Sequence, residues 1–328
     1  MKILITGGAG SIGSNLVRKL LDDQSYEIFV ADNLWRGKLE NLKKYNNNKF
    51  DIKKKFYNVD LRDYNQCLKV TADISHVIHL ADVVAGINYV FENEFSLFQS
   101  NLLINSNILR ASIENKVDKI TYVGTACSYP LEKQLKINTK PLKEEEVYPA
   151  NPESGYGWSK LIGEYEISLS TKYDLIKSSI LRLHNVYGPP SELSHSKSQV
   201  IPALCKKLIL DEDFIVWGSG NQRRSFIYVD DVIEAILKSL QISSGHEVVQ
   251  IGPSQSTSIK EIAQKLIKIS NKKIKPIFDP KKPEGDFDRV PDLTRAKNIL
   301  NWKPSIEIDE GLKKTYDWSK NELLNQIN

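Results

Sequence analysis

Cysteine is scarce in this chain. Three among 328 residues, Cys67, Cys127 and Cys205, supply neither a disulfide framework nor a cluster with metal-ligand spacing, so no metal is expected. Long hydrophobic runs are missing too. The longest apolar stretches are strand-sized, such as residues 28–31, too short to span a bilayer. No sign of charge dominates: 45 basic against 41 acidic residues leave a formal charge of +4, too mild for the basic face of a nucleic-acid binder. The local run Lys53-Lys54-Lys55 reads as a solvated strand edge or loop. The amino terminus enters a strand-like run and a glycine loop at once, so no signal peptide is expected, and a reducing cytoplasm is the expected compartment. Neither repeats nor low-complexity tracts stand out.

What remains is the composition of an ordinary globular chain, 41% hydrophobic and 26% charged, long enough for one large domain or two unequal ones. Its first half alternates. Residues 2–6, 27–31, 56–59, 77–80 and 120–123 read as strands; residues 13–21 and 102–113 carry apolar side chains suited to helices. Such alternation predicts an α/β fold, a Rossmann-like doubly wound parallel sheet with ligands at the carboxyl ends of its strands. After Gly188 the texture changes: Pro189-Pro190, a Ser/His-rich loop at 191–198, a helix at 259–269 and a proline-rich segment at 276–291. This part reads as a smaller, irregular lobe. The predicted division gives residues 1–183, with 226–252 returning to them, to the sheet domain, and residues 184–225 and 253–328 to the lobe.

Between the first strand and first helix lies TGGAGSIG, residues 6–13. Gly7, Gly10 and Gly13 at three-residue spacing permit a tight turn, close backbone approach to a pyrophosphate and close packing of helix on strand. Asp32 ends the second strand about 20 residues further on, where a carboxylate accepts hydrogen bonds from a ribose and repels a 2′-phosphate. NAD is therefore favoured over NADP.

In YGWSK, residues 156–160, Tyr156 and Lys160 stand at i and i+4, on one face of a helix. A neutral phenol is a poor base near neutral pH, and a fixed cation beside it favours the phenolate. With the hydroxyl of Thr125 at a strand end, the trio could move a proton on or off a sugar hydroxyl.

The order of these features resembles the extended short-chain dehydrogenase/reductase family, in particular its nucleotide-sugar epimerases and dehydratases. The residues that carry the resemblance are the loop with Ser11 and Ile12, Asp32-Asn33, Asp60-Leu61, His79-Leu80-Ala81, Thr125, Tyr156/Lys160, the run from Asn185 to Pro189, and the run from Arg224 to Asp231. The resemblance implies an NAD that takes a hydride from the sugar and returns it. It implies Tyr156 as base with Lys160 as partner and ribose anchor, Asp60 and Leu61 near the adenine, and a homodimer.

Within the family, the dehydratases carry an Asp-Glu pair where this chain has Ala126-Cys127, so dehydration is not expected. A cysteine here is similar to the GDP-mannose 3,5-epimerases and GDP-fucose synthases of the family, as are HLADVVAGINYV, RLHNVYGP and PEGDFDR. A thiol is suited to moving a proton at a carbon next to a ketone. The resemblance thus implies Cys127 as an acid/base, and a nucleotide-diphosphate sugar, GDP-linked, as substrate. It places Asn185, Arg224, Arg289 and Val200 against that substrate, the arginines on the diphosphate. The second acid/base of the epimerases, a lysine, is Val200 here. Lys197 and His195 are the nearby candidates.

Overall fold

In the computed structural model, which describes residues 1–43, 50–137, 139–194, 197–242 and 245–327, the first half is β1 (Lys2–Thr6), α1 (Ser11–Leu20), β2 (Glu27–Asp32), α2 (Leu39–Lys43), α3 (Ile52–Lys55), β3 (Phe56–Asn58), α4 (Tyr64–Thr71), β4 (His76–His79), α5 (Ile87–Glu92), α6 (Glu94–Glu114), β5 (Lys119–Thr125), α7 (Gly155–Lys172) and β6 (Lys177–Leu183). The second half continues with β7 (Asn185–Tyr187), α8 (Val200–Ile209), β8 (Ile215–Trp217), β9 (Arg223–Arg224), β10 (Phe226–Tyr228), α9 (Val229–Leu240), β11 (His246–Ile251), β12 (Thr257–Ser258), α10 (Ile259–Ser270), β13 (Ile277–Asp279), α11 (Thr294–Leu300) and α12 (Ile308–Ile327).

Seven of the strands form one parallel sheet in the order β11-β6-β5-β4-β1-β2-β3. β5 is buried along its whole length and β1 along all but its first residue, as expected of a sheet covered on both faces. The two-residue period of a strand then sorts β1: Ile3 and Ile5 share one core with Leu16, Val17 and Leu20 of α1 and with Val232 and Ile236 of α9, while Leu4 packs with Val77, Val70 of α4 and Ile108 of α6. Burying each such side chain contributes about 1.5–3 kcal/mol. α8, α10 and α12 attach to the first of these cores through Leu204, Leu266 and Leu312, so the second half shares its hydrophobic interior with the sheet. Three two-stranded ribbons, β10-β7, β12-β9 and β13-β8, shape that half.

The order reverses between β1 and β4, one running outward to β2 and β3 and the other to β5, β6 and β11. Such a point opens a crevice at the carboxyl ends of the strands. Two expectations shift. Lys53-Lys54-Lys55 lies in the one-turn helix α3, not a strand edge or loop, because Asp51 caps it by accepting from Lys53 N–H. α6 begins at Glu94, eight residues ahead of the apolar pattern that revealed it, its first turn carrying the exposed Phe95. Phe95 and Leu103 of α6, with Trp158, Ile162 and Tyr165 of α7, are exposed apolar side chains on two helices that pack together. Among the described residues, no helix is long and apolar enough to cross a membrane.

Candidate active site

A cavity of about 970 Å³ opens at the switch point. Apart from Lys197 and His195, the residues singled out from the sequence for the cofactor, the substrate and catalysis lie on its wall, from Gly7 to Arg289. The glycines explain the cofactor end. Gly7 has φ +68°, in the left-handed region, and a Cβ there would sit 2.9 Å from the Ala81 backbone. A Cβ on Gly13 would stand 2.4 Å from the Gly7 carbonyl oxygen and 2.5 Å from Gly8 Cα. Both contacts are to backbone, which has nowhere to go. Gly10 N–H donates to Gly7 O at 3.1 Å and caps α1, whose first turn holds no acidic residue. The opening N–H groups of that helix, from Ser11, Ile12 and Gly13, therefore stand without intrahelical partners at the cavity wall. This is a fit to a pyrophosphate.

Asp32 ends β2 with Oδ2 accepting from Ala9 N–H at 2.9 Å and Oδ1 from Leu34 N–H at 2.8 Å. Burial raises its carboxyl's pKa above the ordinary value, against those two hydrogen bonds. Fixed in this way, each oxygen keeps a lone pair for a ribose hydroxyl. Asn33 accepts from Trp35 N–H. Asp60 is paired with Arg62, whose hydrogen bonds hold its carboxyl below the usual range, and Leu61 follows it into the wall. Leu80 and Ala81 are pinned by their N–H groups, both donating to Thr6 Oγ1 at 3.2 Å. That hydroxyl also contacts His79 Nδ1 at 2.7 Å. The residues present fit NAD.

α7 carries Tyr156 and Lys160 to the opposite wall. Lys160 Nζ lies 3.3 Å from Asp82 Oδ2 and 4.6 Å from the centroid of the Tyr122 ring. Part of Tyr156 still faces the cavity, but burial first, then Asp82, Cys127 and Tyr122, push its phenol well above the ordinary value. The sequence pattern pointed to a Lys160 charge given to the phenol; here that charge is directed to Asp82.

Cys127 sits in a one-turn 3-10 segment, Ala126–Ser128, whose N-cap Thr125 accepts from Cys127 N–H at 3.2 Å. Gly157 lets α7 come this close: a Cβ there would lie 2.2 Å from Cys127 O. The glycine in YGW thus seats Tyr156 beside Cys127. Across the thiol stands Arg289, expected on the diphosphate. Its NH1 donates to Ala126 O at 3.0 Å and Gln134 Oε1 at 2.9 Å, it pairs with Asp286 at 2.8 Å, and its NH2 reaches Cys127 Sγ at 3.5 Å. Against the effect of burial, Asp286 and then Cys127 hold this guanidinium above its usual range.

Arg224 is also committed, to the Asp286 carboxylate and, at 2.7 Å, to the Asp286 carbonyl. Asn185 and Val200 reach the wall from the starts of β7 and α8. Lys197 does not: its Nζ donates to Trp35 O at 2.9 Å and lies over the Trp35 ring. His195 lies outside the described residues. Sequence reasoning passed over Asp82, and also Glu153, a wall carboxyl raised by burial and by Asp286.

Comparison with known proteins sharpens the assignment. The model of the NAD dependent epimerase/dehydratase family matches residues 3–252. GDP-mannose 3,5-epimerase 1 of Oryza sativa subsp. indica is 34% identical over 324 residues, covering 98% of this chain and 82% of that protein. A putative UDP-glucose 4-epimerase of Methanocaldococcus jannaschii is also 34% identical, over 321 residues, covering 97% and 98%. The solved UDP-glucuronic acid 4-epimerase of Bacillus cereus, in complex with UDP-glucuronic acid and NAD, superposes with a TM-score of 0.85 at 28% identity, covering 98% of this chain and 100% of that one.

Proposed function

The chain belongs to the NAD dependent epimerase/dehydratase family, and from that premise we propose that it inverts C3, C5 or both of a GDP-linked, mannose-configured sugar through a transient 4-keto intermediate. The pyrophosphate of NAD would rest on Gly7, Gly10, Ser11, Ile12 and Gly13, its adenosine ribose on Asp32, and its adenine beside Asp60 and Leu61. NAD bound there would supply the acceptor for the C4 hydride and the source of its return. Tyr156, aided by Thr125 and Lys160, exchanges the proton of the C4 hydroxyl. Asn185, Arg224 and the start of α8 at Val200 line the sugar's side. Residues 1–183 with 226–252 serve the cofactor in this reading, and residues 184–225 with 253–328 the sugar.

Cys127 carries the reading. A 4-ketone acidifies the hydrogens on C3 and C5, so inversion needs a group that removes and returns a carbon-bound proton. Cys127 faces the cavity with the Arg289 guanidinium 3.5 Å from its sulfur. In this reading Arg289 is the partner of the Cys127 sulfur rather than a diphosphate clamp. A second reading, 4-epimerisation with Cys127 only packing, is favoured by Val200 standing where the 3,5-epimerases have a lysine and by the equal identity to the putative UDP-glucose 4-epimerase.

Incubation of the NAD-supplemented protein with GDP-mannose or UDP-glucose in deuterated water separates the two. Deuterium at C3 or C5 of GDP-mannose is expected, with a loss of about 10²–10⁴-fold in its rate in Cys127→Ala. Turnover of either sugar without carbon-bound deuterium would sink the epimerisation at C3 or C5 and leave the C4 chemistry.

The homodimer is part of the same proposal. Its support is the apolar face of α6 and α7, where Trp158, Ile162 and Tyr165 follow at helical spacing beside Phe95 and Leu103. Light scattering should give twice the mass of 37.3 kDa, and Ile162→Glu with Tyr165→Glu should return it to one. A wild-type monomer at micromolar concentration would remove the dimer from the account.

A further inference from the structure

Inversion at a carbon beside a ketone needs a proton taken from one face and a proton delivered to the other. Cys127 accounts for one of these transfers. The position expected to hold a lysine for the second is Val200. Lys197 is committed to Trp35 and Lys160 to Asp82. The cavity wall offers a carboxyl instead. Glu153 stands three residues ahead of Tyr156, on the loop that enters α7. Pro152, just before it, packs on Gly157: a Cβ on that glycine would lie 2.8 Å from Pro152 Cβ and 2.2 Å from Cys127 O. The segments that carry Glu153 and Cys127 therefore meet at Gly157. Gly155 N–H donates to Glu94 Oε1 at 2.6 Å and fixes the turn that follows Glu153.

The carboxyl and the thiol stand at the two ends of one ion chain. Asp286 pairs with Arg289 at 2.8 Å and also with Arg224. Arg289 NH2 reaches Cys127 Sγ at 3.5 Å. At the other end, a Cβ on Gly285 would lie 3.2 Å from Arg224 NH2 and 3.7 Å from Glu153 Oε1. Gly285 has φ +72°, so the space between that guanidinium and the carboxyl stays free of a side chain. Cys127, Glu153, Arg224, Asp286 and Arg289 all line the cavity. We propose that Glu153 is the second proton carrier of the inversion, a catalytic residue that delivers a proton to the sugar carbon on the face opposite Cys127. This rests on inversion at C3 or C5 as the reaction.

The step balances with one proton held by the pair. The C–H bond at C3 or C5 breaks and an S–H bond forms on Cys127, while the electron pair moves into the enolate of the 4-ketone. The Glu153 O–H bond then breaks, a C–H bond forms on the far face of the sugar, and a carboxylate remains. The reverse direction uses the same two groups with their roles exchanged. A carboxyl that delivers a proton near neutral pH has to hold it above the ordinary carboxylate range. Burial first, then Asp286, raise Glu153 in that direction, against Arg289 and Arg224. Glutamine in its place keeps the shape and has no acidic proton to give.

The test supplies the ketone directly, so that no hydride transfer is needed. Wild-type protein with GDP-4-keto-6-deoxymannose in deuterated water, followed by NMR, should place deuterium on C3 or C5 and produce the inverted configuration. Glu153→Gln should still place deuterium there, because Cys127 removes and returns the proton on its own face. The mannose configuration should be retained, with inversion slowed by about 10²–10⁴-fold. Calorimetric titration with GDP-mannose should give wild type and Glu153→Gln the same affinity. Inversion at the wild-type rate in Glu153→Gln overturns the proposal. Loss of exchange together with inversion overturns it as well, since Glu153 would then not act after Cys127. An affinity that falls as far as the inversion rate makes Glu153 a sugar-binding group and also overturns it. Wild-type protein that labels neither carbon of the ketone sinks the proposed inversion itself and this step with it, a result read before any variant is made.

Discussion

Tyr156→Phe is expected to slow turnover by about 10²–10⁴-fold while nucleotide-sugar affinity is unchanged. The substitution removes one oxygen and nothing else. The ring continues to fill its place between Asp82, Cys127 and Tyr122, and the Lys160–Asp82 pair at 3.3 Å does not depend on it. The approach of α7 to the Cys127 turn is set by Gly157 rather than by the phenol. What is lost is the hydroxyl that exchanges the proton of the C4 hydroxyl in the proposed reaction. Deuterium exchange into the sugar should fall together with turnover, because acidification at C3 and C5 depends on first making the C4 ketone. The measurement pairs that exchange rate with calorimetric titration of the nucleotide sugar. Full activity in Tyr156→Phe would remove Tyr156 from the reaction, and loss of binding in step with activity would make its role one of grip.

How far this site could be read from the sequence depends on what kind of constraint each residue obeys. The glycine loop was legible because its spacing answers to backbone geometry that no other residue satisfies: Gly13 has the Gly7 carbonyl where a side chain would begin. The strands were legible because burial on both faces leaves short apolar runs such as KILIT, off by a residue or two at their ends. α6 was read eight residues short, because its first turns lack the apolar stripe and present Phe95 outward. Asp82 was quoted within HLADVV and passed over, since its partner Lys160 lies far along the chain and only the β4–β5 pairing and the packing of α7 bring them together. Arg289 was found but its contact with Cys127 was not, because the thiol it touches is 162 residues away. Type and order of residues reveal the family; that an arginine faces a sulfur is a matter of tertiary placement.

Replacing Glu164 by Ala is expected to cost about 3–5 kcal/mol of stability, more than any substitution on the surface of α7. Arg182 of β6 and Glu164 of α7 face each other with 3% and 6% of their side chains exposed. Arg182 Nε donates to both Glu164 oxygens at 3.0 Å, its NH2 donates to Glu164 Oε1, and NH1 donates to Glu144 O at 2.6 Å and Tyr129 Oη at 3.1 Å. Burial works against this guanidinium, and Glu164 more than offsets it, holding Arg182 above its usual range. Gly124 makes the room, since a Cβ there would lie 3.2 Å from Glu164 Oε2; this is a reason for the glycine ahead of Thr125 that the sequence alone does not show. Removing the carboxylate strands a cation in the interior between sheet and helix. Removing both charges does not, so Arg182→Met with Glu164→Leu should recover most of the loss. Glu164 is one helical turn beyond Lys160 on α7, so the single variant should also loosen the Lys160–Asp82 pair and lower activity at temperatures where it remains folded. Equilibrium denaturation of the three proteins measures the first effect. A loss below about 1 kcal/mol in Glu164→Ala, the range of an exposed pair, would mean that water reaches Arg182 and that the seam fastening the reaction helix to the sheet is its apolar contacts alone.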